Sequence, residues 1–250
     1  MSHAARVAGH GEVSTALALI SDRRLGRLVD EAPLISAGIG GRAVLLHVDG
    51  TPVFAKRVPL TDLERRPENV MSTANMFGLP TLCHYGVGSA GGGAWRELAA
   101  HVMTTNWVLG KRCESFPLMY HWRVLAEPPP PPSTPEEGAE LARMVAYWDG
   151  SSAVRERLEA IARASASLVL FCEYIPQNLH EWLTTQPASG DHAVESACAM
   201  VEQALRTDVA FMNSNGLLHF DAHFRNILTD GQRLYFADFG LATSSRFELS

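Results

Sequence analysis

His219-Phe220-Asp221-Ala222-His223-Phe224-Arg225-Asn226 and, after a short hairpin, Ala237-Asp238-Phe239-Gly240 are the two stretches that decide how this chain is read. A carboxylate such as Asp221 can accept the proton of an attacking hydroxyl. Asn226, five residues on in the same loop, can return to that pocket and offer its amide oxygen to a magnesium ion. Asp238 can hold the ions that bridge phosphates. One base and two oxygen ligands for a hard cation point to phosphoryl transfer. The flanks Leu217-Leu218, Ile227-Leu228 and Leu234-Tyr235-Phe236 are short apolar runs, and Asp230-Gly231 makes a turn between the last two. This order of loop, strand, turn, strand and loop would hold both carboxylates at the mouth of one cleft. A competing reading makes His219, Asp221 and His223 a metal site, because alternate residues of a strand face one side. No further His or Cys cluster completes it.

These stretches resemble the catalytic and metal-binding loops of the protein kinase-like superfamily, which includes protein kinases and the aminoglycoside and choline phosphotransferases. Asp238-Phe239-Gly240-Leu241-Ala242 is close to the protein-kinase form. The pattern of Asp221, His223 and Asn226 is similar instead to the small-molecule phosphotransferases. Phe220 stands where many protein kinases have an arginine, which speaks against activation by a phosphate meeting that arginine. The resemblance implies an α+β, bilobal fold. Its antiparallel-sheet small lobe would cover residues 1–173 with an insertion around 126–166, and a truncated, mainly helical large lobe would follow from 178 to 250. It also implies ATP and Mg2+, with Asp221 as base, Asn226 and Asp238 as metal ligands, and transfer of the γ-phosphate to a hydroxyl. A protein kinase-type enzyme is favoured. A small-molecule phosphotransferase and a pseudokinase or nucleotide-binding module are the alternatives.

Towards the N-terminus, Leu34 to Ala43 contains Gly38, Gly40 and Gly41, followed by an apolar run at 44–48, a turn at Asp49-Gly50 and a second run at 53–58. Three strands with a glycine loop between the first two are predicted. Glycines there would let backbone amides approach phosphate oxygens, although any tight hairpin uses them too. In the family resembled, a glycine-rich loop covers the phosphates and a strand lysine contacts them, a part that falls to Lys56 here. Ala43 lies where the last glycine of that pattern would be. Arg57, one residue on from Lys56, must face the other way. The family also implies a helix glutamate that orients the lysine. Glu97, in the helical stretch from Ala94, is favoured over Glu64 and Glu68, which sit among arginines beside Pro67. Residues 167–175 read as a buried strand ending in a break. This stretch resembles the kinase hinge, and the resemblance implies that the backbone of Glu173 to Ile175 meets an adenine ring; an ordinary strand and turn accounts for the same residues.

The remaining pattern predicts helices at 14–29, 136–148, 151–166 and 194–213 and a strand at 116–125. Pro128 to Pro132 with Ser133-Thr134-Pro135 reads as an extended connector, either a spacer or an SH3-type ligand. With 46% hydrophobic residues in 250, the chain can build a substantial core. Its net charge of -6 gives no expectation of a nucleic-acid surface, and no polybasic membrane patch is visible. Cys83, Cys113, Cys172 and Cys198 are too far apart for a zinc motif or a disulfide framework, so a reducing cytoplasm is expected. The apolar run at 16–20 is too short for a signal-peptide core, and no segment approaches membrane-spanning length. The resemblance implies a nucleotide and a hydroxyl acceptor, protein or small molecule, as partners. Because the sequence stops ten residues after Gly240, the large lobe is expected to be incomplete and the helix at 194–213 to keep an exposed apolar face.

Overall fold

The computed structural model describes residues 2–38, 41–84, 86, 88–128 and 134–249. Two helices come first, α1 (His3–Ala18) and α2 (Asp22–Glu31), then strands β1 (Leu34–Gly38), β2 (Gly41–Val48) and β3 (Thr51–Leu60). Next are α3 (Ala94–Leu109), β4 (Met119–Ala126), α4 (Pro135–Tyr147), α5 (Ser152–Ala162) and β5 (Ala166–Glu173). The remainder comprises β6 (Gln177–Asn178), α6 (Leu179–Thr185), α7 (Asp191–Ser214), β7 (Leu217–Leu218), β8 (Ile227–Thr229), β9 (Leu234–Phe236) and β10 (Thr243–Ser244). The fold class is α+β, with seven α-helices and a five-stranded antiparallel sheet among the described residues.

That sheet runs β1-β2-β3-β5-β4, so β5 inserts between two strands that precede it in the chain. All eight β5 residues are buried. The two-residue period of a strand divides them between two layers. Leu168 and Leu170 pack with Trp95 and Leu98 of α3, whereas Val169 and Phe171 join Leu17, Leu25 and Val29 of α1 and α2. Lys56 pairs with Leu170 and Arg57 with Val169. Lys56 therefore faces α3, and Arg57 reaches across the other face to Asp30 of α2 at 2.6 Å.

The helix predicted at 14–29 is two helices separated at Leu19 to Ser21, and the first begins eleven residues earlier, its end capped by the Ser2 hydroxyl, which accepts from the Ala5 N–H. Gly9 and Gly11 hide it in the sequence, since each weakens a helix by about 1 kcal/mol relative to alanine. Burial supplies the difference: Arg6, Val13 and Leu17 lie on one face against the sheet. The strand predicted at 116–125 starts at Met119, with Phe116 and Leu118 already buried ahead of it. Helix α5 stops at Ala162, four residues short of its predicted end, because the chain is extended again by Ala166. In α7 the residues Ala197, Val201 and Met212 are buried and Met200, Leu205 and Phe211 are partly covered. Its apolar face is thus mostly packed, with Val209 exposed at its edge. Most of the proline run, residues 129–133, lies outside the described residues, as does Gly40.

Candidate active site

Strands β8 and β9 form the hairpin that brings the two quoted stretches together, with Ile227 opposite Phe236. Its ladder continues one step further, where the Ala237 N–H donates to the Asn226 carbonyl at 3.1 Å. His219 supplies a second tie: its Nε2 lies 3.0 Å from the Ala237 carbonyl, and its Nδ1 accepts from the Asp221 N–H at 3.3 Å. Those partners assign the proton to Nε2. Burial holds the ring pKa below the usual histidine range, so the neutral tautomer is the stable form. Both ring nitrogens are engaged in this way, which turns His219 from a metal ligand into a brace. Phe220 and Asp238 both adopt left-handed backbone, at φ 60° each. Each costs on the order of 1–3 kcal/mol and persists only where its surroundings over-determine it, as the braced loops do here.

Asn226 Nδ2 donates to Asp221 Oδ2 at 2.9 Å and to the Asp221 carbonyl at 3.1 Å. Across the cleft, Lys56 Nζ lies 2.6 Å from Glu97 Oε1 and 2.8 Å from Asp238 Oδ1. Glu97 sits in the first turn of α3, which runs beneath the sheet face that carries Lys56. Glu64 is held elsewhere: it accepts from the Thr61 N–H and hydroxyl, the Ala94 N–H and Arg157 Nη1. Glu68 is exposed. Geometry thus singles out Glu97 among the three glutamates.

Burial alone would depress the Lys56 pKa, but the carboxylates of Glu97 and Asp238 hold it above the usual lysine range. Glu97 is raised by its burial, with Lys56 opposing, while at Asp238 burial pushes the carboxyl up but the Lys56 charge, the Lys56 hydrogen bond and the Gly240 N–H together lower it. The ammonium is thus permanently charged and fixed between two acids. Behind this trio, Phe239 is fully buried, its ring 4.9 Å from that of His101 on α3 and 5.1 Å from that of His219. This contact joins α3 to both loops.

A cleft of about 490 Å³ lies in front, lined by Ile35, Phe54, Lys56, Ile175, Asn226 and Asp238 among others. That volume falls within the range of small-molecule sites, roughly 300–1,000 Å³. Ile35 and Ser36 of β1 reach it. Gly41 opens instead towards Arg42, Arg57 and Glu127. A Cβ on Gly41, at φ 117°, would meet the Arg57 carbonyl oxygen at 1.9 Å, so this glycine serves the close approach of β2 to β3. Gly38 is its partner in the β1–β2 ladder.

Glu173 lines the cleft, but its N–H and its carboxylate are engaged behind it. Its N–H donates to the Leu118 carbonyl at 2.7 Å, which removes it from the backbone groups that could meet an adenine. Its carboxylate accepts from Arg6 Nη2 at 2.6 Å, from Arg6 Nε at 2.9 Å and from the Leu118 N–H at 3.1 Å. Arg6 also donates to the carbonyls of Glu114 and Phe116 and stacks over the Tyr235 ring at 5.2 Å. No sequence signal marks Arg6, because it lies ahead of the predicted helix and 167 residues from its partner.

No protein-family model matches the chain, and no curated protein is similar to it in sequence. Among the described residues, no helix is long and apolar enough to cross a membrane.

Proposed function

We propose that this protein is an ATP- and Mg2+-dependent phosphotransferase of the protein kinase-like superfamily that moves the γ-phosphate to a hydroxyl. On this reading the fold is bilobal. The five-stranded sheet with α3 forms the small lobe, and the segment from β6 onward contributes the base and the metal ligands. One observation carries the proposal: Lys56, bound to Glu97 and Asp238, lines with Asp238 the cleft that Asn226 also lines, and Asn226 in turn holds Asp221.

A magnesium ion fits this donor set. Lys56 engages Oδ1 of Asp238, and Asn226 bonds Asp221 through Nδ2, so Oδ2 of Asp238 and Oδ1 of Asn226 are the oxygens left to offer. Magnesium prefers such oxygen donors, one or two from protein with the rest from phosphate and water. When bound it would neutralise charge on the phosphates. The chain supplies the rest: Lys56 holds a fixed positive charge towards the phosphate oxygens, Glu97 orients Lys56, and Asp221 takes the acceptor proton.

Thermal unfolding with ATP tests the reading. ATP at a hundred times its Kd should stabilise the protein by about 2.7 kcal/mol, which corresponds to a Tm rise of roughly 5–10 °C for a chain of this size. The rise should need magnesium and should shrink in Asp238→Asn. An unmoved Tm at millimolar ATP with magnesium would overturn the proposal.

A further inference from the structure

Helix α3 carries Glu97, yet no side chain beside its start caps it. Gly91, Gly92 and Gly93 precede the helix, and the N-cap Gly93 makes no side-chain bond. Glu64, which lies 30 residues before Ala94, takes that place from another part of the chain. Its Oε1 accepts from the Ala94 N–H at 3.0 Å, and its backbone carbonyl accepts from Trp95 Nε1 at 2.9 Å. Its negative charge also complements the positive end of the helix dipole. Gly93 makes room for it: at φ 106°, a Cβ there would meet Glu64 Oε1 at 2.8 Å.

Arg157 of α5 holds Glu64 in turn. Its Nη1 lies 2.9 Å from Glu64 Oε2, and the two side chains are 4% and 1% exposed, so the pair is buried. The Thr61 N–H and hydroxyl complete the carboxylate's partners. The guanidinium also lies over the Phe77 ring, 5.0 Å from its centre. Helix α5 is anchored independently of this pair, since Val154 and Leu158 pack with Val145 of α4 and with Leu79 and Cys83. From Arg157 the connection runs through Glu64 to Ala94 and on to Glu97, whose N–H donates to the Gly93 carbonyl at 3.3 Å. Glu97 then meets Lys56 Nζ at 2.6 Å.

We propose that Arg157 and Glu64 are positioning residues for Lys56: through them α5 fixes the first turn of α3 and so keeps the Glu97 carboxylate on the ammonium. The consequence for phosphate binding rests on the phosphotransferase reading, whereas the mechanical link to Lys56 does not. A buried carboxylate without its cation is costly to keep charged. Without Arg157, Glu64 would take up a proton or turn towards water, and either change weakens its bond to Ala94. The first turn of α3 would then fray for want of a cap. Glu97 would lose its fixed distance from Lys56, and burial, which already raises its pKa, would favour its neutral form. Lys56 would be left with Asp238 alone. Neither Arg157 nor Glu64 is among the residues that line the main cleft, so both act through Glu97.

The chain has only two lysines, Lys56 and the exposed Lys111, which makes the contact directly observable. In protein labelled with carbon-13 lysine, the Cε signal of Lys56 should stand apart from that of Lys111 and should move towards it in Glu97→Gln. Arg157→Met combined with Glu64→Gln, a pair that leaves no buried charge unpaired, should move it in the same direction, and Arg157→Lys should move it less. Adding Glu97→Gln to the pair should move it no further than Glu97→Gln alone, because all the changes act on one contact. Calorimetric titration in the presence of magnesium supplies the second arm. A non-hydrolysable ATP analogue should bind the paired variant at least about tenfold more weakly than the wild type, the worth of a charge-assisted hydrogen bond. Adenosine, which has no phosphate, should bind both alike. The positioning role is overturned by an unmoved Lys56 signal in the paired variant, by shifts that simply add, by an undiminished affinity for the analogue, or by equal losses for the analogue and adenosine. Failure of the analogue to bind the wild type would overturn the phosphotransferase reading, while the lysine signal still decides the link from α5 to Lys56.

Discussion

Asp221 is held from two directions: Asn226 Nδ2 donates to its Oδ2, and its own N–H donates to His219 Nδ1. The carboxylate is therefore aimed by the loop and does not rotate freely. Asp221→Asn keeps the shape, and its amide oxygen can still accept from Asn226, but it cannot take up a proton. The variant should lose about 10²- to 10⁴-fold in phosphate transfer while keeping the ATP-dependent rise in Tm. Labelled phosphate counted on the acceptor, alongside thermal unfolding, checks both halves, and an unchanged transfer rate would remove Asp221 from its role. The meeting of Asp221, Asn226 and Asp238 in space was legible in the sequence because they stand in two short motifs on either side of one hairpin. Glu97 was not legible to the same degree. It lies 41 residues from Lys56, and only the packing of α3 on the Lys56 face distinguishes it from Glu64, which the chain uses to anchor α5.

The first helix shows how an element can be structural and still reach the site. Arg6 of α1 is wholly buried at its side chain, and its fork grips the Glu173 carboxylate at the end of β5, where the chain enters the loop lining the cleft. Removing one partner of such a pair leaves an uncompensated buried charge, which costs about 3–5 kcal/mol, whereas removing both charges costs much less. Arg6→Met should thus lower the urea midpoint substantially, and Arg6→Met with Glu173→Gln should recover most of that loss. Denaturant titration of the three proteins checks it, and equal destabilisation by the single and double variants would contradict the ion-pair account. Periodicity of two made β2, β3 and β5 readable, since their apolar residues alternate or run continuously between turn residues. Helix α1 was only partly readable. Its buried face includes an arginine, and its two glycines weaken the local preference, so the helix depends on partners that only tertiary structure supplies. The insertion of β5 between β3 and β4 has no counterpart in local sequence either.

At the scale of the whole molecule, the sheet, α3 and the two loops meet around Phe239, and two buried imidazoles stand on either side of it. The His101 pKa is pushed down to about 3 by burial first and then by the Lys56 charge, with Asp238 opposing and His219 adding to the depression. Cys172 Sγ is 4.0 Å from its Nδ1. In the unfolded chain this histidine titrates near its ordinary value of about 6.5. Between that value and about 3 the unfolded state binds the extra proton and the native state does not, so stability declines as the pH falls through this window. His219, lowered by burial, acts in the same direction from the same upper limit, and the lowered carboxyl of Asp238 adds its loss further into the acid range. Denaturation midpoints measured from pH 7.5 down to 4.5 should therefore fall steadily. His101→Gln removes the titrating ring and should flatten that decline, whereas His47→Gln, at an exposed position of β2, should leave the slope as it was. The sign matters for the site as well as for stability, because protonating His101 would place a second cation beside Lys56 and behind Phe239. An acid limb equally steep in the wild type and in His101→Gln would show that the pH dependence arises elsewhere in the molecule.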